Sequence, residues 1–192
     1  SSPRKFPGHS RTSPWVKPEW RRPFEPQDFT EEGVARLVGR IATFCVENEV
    51  DRVLSPSHYI HDRRFDGWLE IDARLSLALR RALDEMGGRE IAVDYQLILS
   101  STELREVTVR GDIAARLLDL PFENLWIRAA GMEGFSGPLK VTRFISSMDR
   151  LHNLGKPVVA DYLGGMAGLS SMAFGAVSGV SHGIAEMERF DA

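Results

Sequence analysis

Apolar and polar positions alternate along this chain with two periods that take turns. From Thr30 the spacing of Val34, Leu37, Val38, Ile41, Phe44 and Cys45 is that of one helical face, with Glu31 and Glu32 at the positive end of the helix dipole. Arg52–Leu54 reads as a short strand broken by Ser55-Pro56. A second helix carries Trp68, Ile71, Leu75, Leu79 and Leu83 and stops at Gly87-Gly88. Ile91–Leu99 is the clearest strand. A helix over Asp112–Leu118 follows, and Gly111 argues against its reaching back unbroken to Thr102. Leu125–Arg128 is the next strand, then a loop with Gly131, Gly134 and Gly137. Pro138 suits the first position of a helix that buries Val141, Phe144, Ile145 and Met148. Val158–Ala160 is a buried strand, closed by Asp161 and the Gly164-Gly165 turn. A small-residue helix over Met166–Val177 leads from it into a last strand at Val180.

Five strands, centred near Val53, Asp94, Trp126, Val159 and His182, thus alternate with helices. Such alternation predicts an α/β fold with a parallel sheet. Polar residues within the strands choose the architecture. A sheet covered on both faces is apolar throughout, yet Asp94 and Gln96, and then Trp126 and Arg128, alternate with apolar neighbours. One face therefore carries polar groups, as in a barrel interior that opens into a site. The expectation is a partial parallel (β/α) TIM-like barrel over residues 30–192, with an open three-layer sheet as the alternative. Five units do not close the usual eight-stranded barrel, so a fragment of a longer barrel is expected.

Residues 1–29 differ. Pro3, Pro7, Pro14, Pro18, Pro23 and Pro26 exclude regular structure there. Six basic residues against Glu19 and Glu25 give residues 1–26 a charge of +4, which leaves −7 for the rest of a chain whose total is −3. This irregular basic arm, with Trp15 and Trp20, would serve an interaction module that binds a partner protein or, less readily, nucleic acid. The alternative is an arm laid on an acidic body. Lone Cys45 cannot form an intrachain disulfide, which points to a reducing, cytoplasmic setting. No apolar run is long enough to span a bilayer, and no membrane partner is expected.

Read across the strand ends, the candidate rim comprises Ser55, His58, Asp94, Gln96, Arg128, Asp161 and His182. Asp94, Asp161 and His182 are the residue types that move protons, hence the candidate catalytic groups. Arg128 can hold a carboxylate or phosphate in its fork, so a small anionic molecule is the expected ligand. Gly164 and Gly165 add backbone N–H groups at a helix start. A purely structural Asp94–Arg128–Asp161 ion network is the competing expectation. His58-x-x-His61-Asp62 has metal-ligand residue types but sits in an apparent loop, and no metal site is assigned from it. Zinc cysteine clusters, nucleophile elbows and GK[ST] phosphate loops are absent, and nothing specifies a cofactor.

The stretch PVVADYLGG…AFGAVSGVSHG resembles the late strands of phosphate-binding (β/α) barrels, in which a glycine turn and a following Gly-Ala accept a ligand phosphate. It is also distantly similar to barrels of the queuine tRNA-ribosyltransferase type, although their metal-binding cysteines are missing. The run from Val53 to the terminal ERFDA resembles an uncharacterised bacterial family of the same fold. That resemblance implies a barrel continuing beyond both ends of this sequence. It implies no activity and no catalytic residue.

Overall fold

The computed structural model describes residues 25–60, 65–132, 134 and 136–181. Its strands are β1 (Arg52–Leu54), β2 (Tyr59–Ile60), β3 (Ala92–Ser100), β4 (Leu125–Ala130), β5 (Val158–Asp161) and β6 (Gly179–Ser181). All pair in parallel, in the order β1-β3-β4-β5-β6, with β2 also on β3. β1 meets the start of β3 and β2 its end, so the two occupy one strand position interrupted at Pro56. The five positions curl into a half-barrel, as the alternation predicts. The short β2 was not expected, because Pro56 and the polar residues around it read as a loop.

Five helices accompany the sheet: α1 (Glu31–Glu47), α2 (Phe65–Glu85), α3 (Val107–Leu117), α4 (Pro138–Ser147) and α5 (Gly165–Ala173). Thr30 caps α1 by accepting from Gly33 N at 3.1 Å. The buried stripe of α1 is Val34, Val38, Ala42 and Cys45, while Phe44, expected on the apolar face, is 61% exposed. The stripe follows i, i+4 spacing toward α2, and Phe44 falls on its flank.

α3 begins at Val107 and runs through Gly111 without a break. A 3-10 turn over Glu103–Arg105 precedes it, fixed by reciprocal bonds between Ser100 and Glu103. Arg110, almost fully buried, ties α3 to that turn by donating to the carbonyls of Leu104 (2.9 Å) and Arg105 (2.7 Å). α5 ends at Ala173, several residues short of the expected Val177, because the chain turns at Gly175 with φ 69°.

Helices cover one face of the sheet. Tyr95, Leu97 and Leu99 of β3, Leu125 and Ile127 of β4, and Val158 and Ala160 of β5 form the main core with them. A second cluster joins α1 and α2 to Val93. Gly168 lets α5 fold tightly against the turn before it and against Val180 of β6, since a Cβ there would come within 2.6 Å of the Leu163 carbonyl and 3.3 Å of the Val180 side chain. Strand periodicity therefore turns Asp94, Gln96, Trp126, Arg128, Val159 and Asp161 to the concave face. α5 presents Met166, Leu169 and Met172 to solvent, beside β6. Among the described residues, no helix is long and apolar enough to cross a membrane.

Candidate functional site

Two separate constellations occupy the concave face. The first is centred on Asp94, whose carboxylate is fully buried. Oδ1 accepts from Arg52 Nη1 at 2.6 Å and from Asn124, through its backbone N (3.1 Å) and Nδ2 (3.0 Å). Oδ2 accepts from the Trp126 indole at 2.8 Å. Four donors from β1, β4 and the turn before β4 thus converge on one β3 side chain. This carboxylate fixes register and orients Trp126, and none of its partners is Arg128 or Asp161.

The second constellation joins β3, β4 and β5. Asp161 Oδ2 accepts from Gln96 Nε2 at 2.8 Å, from Arg128 Nε at 2.7 Å, and from Arg128 Nη2. Asp161 Oδ1 accepts no hydrogen bond from the described residues. The Arg128 guanidinium lies over the Tyr162 ring, 4.1 Å from its centre. Tyr162 holds φ at 59°, a left-handed conformation that is costly for a bulky residue and must be imposed by its surroundings. The result is a carboxylate, a guanidinium and an aromatic ring packed in sequence at the C-terminal end of the sheet.

His58 stands elsewhere. Its Nδ1 meets Asp72 Oδ1 at 2.5 Å and its backbone N donates to Asp72 Oδ2 at 2.9 Å. The imidazole stacks on Trp68 and meets Phe29 edge-on, so Phe29 at the end of the basic arm is packed on the body. Ser55 is buried, its backbone N bonded to the Asp94 carbonyl, and its hydroxyl has no partner among the described residues.

Burial pushes the Asp72 carboxyl above its ordinary value, with the bonds to His58 opposing. Burial, and next the charge of Asp72, push the Tyr95 hydroxyl far upward. Since the native Asp72 titrates above its unfolded counterpart, its contribution to stability is full below about pH 4 and is lost as pH rises through the native value. Asp72→Asn does not titrate, so its stability relative to the native sequence should rise as pH climbs from about 4 through the raised native value. Urea unfolding of both proteins across that range measures this, and a flat difference would contradict it.

Gly164 and Gly165 meet a neighbouring loop. A Cβ on Gly165 would lie 3.0 Å from the Gly134 carbonyl, and one on Gly134 3.1 Å from the Gly164 carbonyl. The Gly134 carbonyl also accepts from Ala167 N at 3.3 Å, which occupies one of the amides at the start of α5. His182, with His61, Asp62 and the tryptophans of the arm, lies outside the described residues. Among the described residues no three His, Cys, Asp or Glu side chains group to hold a metal ion.

Arg52, Asn124, Tyr162 and Asp72 were not singled out from the sequence. Asp72 carries a legible signal, a charge beside Ile71 and one turn after Trp68 within the apolar stripe of α2. Tyr162 carries none, because only the backbone shows its conformation.

Compared with protein-family models, curated proteins and solved structures, the chain matches none of them. The parallel half-barrel is the part of the family resemblance present in the structure. What fold and geometry define is an α/β half-barrel with a charged, aromatic-backed cluster at the C-terminal end of its strands.

Proposed function

We propose that the protein binds a small anionic or nucleoside-like molecule on the concave face, at Asp161, Arg128 and Tyr162. The observation that carries this reading is the lopsided use of Asp161. Three donors hold one oxygen and leave the other with no partner among the described residues. A held carboxylate with one oxygen unused is an acceptor for a ligand hydroxyl or amide N–H. It is also the arrangement from which a carboxylate takes a proton in general-base chemistry. Arg128, steadied by Tyr162, supplies the positive charge for an anionic group. Asp94 supports the site by holding Trp126, the next concave residue of β4.

A thermal-shift screen over nucleosides, nucleotides and small carboxylates tests the proposal. A compound at about 100 times its dissociation constant stabilises the native state by about 2.7 kcal/mol. Asp161→Asn keeps size while altering the acceptor, and should weaken binding of any compound found by about tenfold or more. The proposal fails if no compound raises the melting temperature, or if the variant binds as the native protein does.

A further inference from the structure

A different part of the molecule carries unpaired positive charge. A cleft of about 150 Å³ lies between the turn after β3 and the outer helix α4. Its floor includes Leu104 and Phe144, both buried, and its walls carry Arg105, Lys140 and Arg143 together with Thr102. Among the described residues no carboxylate lines it. An adjoining hollow of about 320 Å³ shares Lys140 and Arg143 and opens at Gly137 and Pro138, where α4 begins. Gly137 offers that helix start no side-chain cap, so its positive end is uncompensated from that position.

Three cations gathered around one hollow mark this place. Arg52, Arg80, Arg110 and Arg128 all engage carboxylates, although acidic residues outnumber basic ones by only 27 to 24. Lys140 and Arg143 have side chains with no hydrogen bond or ion pair to any described residue. They stand three apart on α4, hence on one face. Among the described residues Arg105 reaches only the Thr102 hydroxyl, at 3.3 Å. Three like charges around one small hollow repel one another, and a bound anion would relieve that repulsion.

We infer that this cleft is a binding site for the phosphate or diphosphate group of a small molecule, distinct from the concave face. Two guanidiniums match phosphate oxygens as planar forks, and the lysine adds a mobile point charge. The Thr102 hydroxyl supplies a neutral donor at the wall. All three cations are exposed, so the anion enters directly from solvent and its affinity falls as ionic strength rises.

Isothermal titration at low ionic strength with inorganic phosphate, pyrophosphate and a nucleoside diphosphate tests this. At least one probe should bind, and the double variant Lys140→Ala/Arg143→Ala should lose about tenfold or more in affinity. Both residues are exposed and unpartnered among the described residues, so the variant should fold as the native chain does, which its unchanged melting temperature would verify. Asp161→Asn should leave this binding unchanged. Preference for pyrophosphate would mark a free inorganic ligand, and preference for the nucleotide an organic phosphate. The inference is overturned if no probe binds, if the double variant binds equally well, or if Asp161→Asn alone abolishes binding.

Discussion

Asp94→Ala is expected to lower stability by about 3 kcal/mol, because each of three half-buried donors left without an acceptor costs near the lower end of roughly 1–3 kcal/mol. The stranded donors are the Trp126 indole and both nitrogens of Asn124. Arg52 adds less, since its side chain is 44% exposed and its charge can be hydrated once the carboxylate is gone. In a domain of this size the loss corresponds to a fall of about 6–12 °C in melting temperature. Asp94→Asn keeps the shape but turns one acceptor into a donor facing donors, and should recover only part of the loss. Calorimetry of both variants measures the effect. A change below about 1 kcal/mol for Asp94→Ala would mean that the four-donor node does not hold β1, β3 and β4 in register.

The same node explains what could be read from the sequence and what could not. The 2-residue period of β3 and β4 put Asp94, Gln96 and Arg128 on one face, and they lie there. Periodicity stops at the face, however, and does not choose partners within it. Asp94 and Arg128 are polar residues of adjacent strands, yet Arg52 lies nearer Asp94 through the β1 register Leu54↔Asp94. The register of β3 with β4 sets Arg128 opposite Ile98, four positions beyond Asp94 and toward Asp161. A one-sequence reading has no access to register, so it merged two constellations into one. The Gly164-Gly165 turn shows the same limit. Its glycines are legible as a tight turn, but the loop residue Gly134 that they pack against is thirty positions away and visible only in three dimensions.

Arg128→Ala tests the second constellation on a different principle. Asp161 has a side chain only 6% exposed, and removal of Arg128 takes two of the three donors from its bonded oxygen, leaving Gln96. A buried carboxylate stripped of its cation typically costs about 3–5 kcal/mol. Arg128 itself is 19% exposed, so some water reaches the pair, and a loss near the lower end, about 3 kcal/mol, is expected. Arg128→Lys should recover less than half of this, since an ammonium keeps the charge but not the fork or the flat stack on Tyr162. The double variant Arg128→Ala/Asp161→Asn separates the pair from the scaffold. With the charge removed from both sides, it should be more stable than Arg128→Ala alone, because no unpaired carboxylate remains buried. Denaturant unfolding of the native protein, both single variants and the double variant completes the cycle. Additive losses would show that Arg128 and Asp161 stabilise the fold independently, and the held carboxylate on which the binding proposal rests would lose its basis.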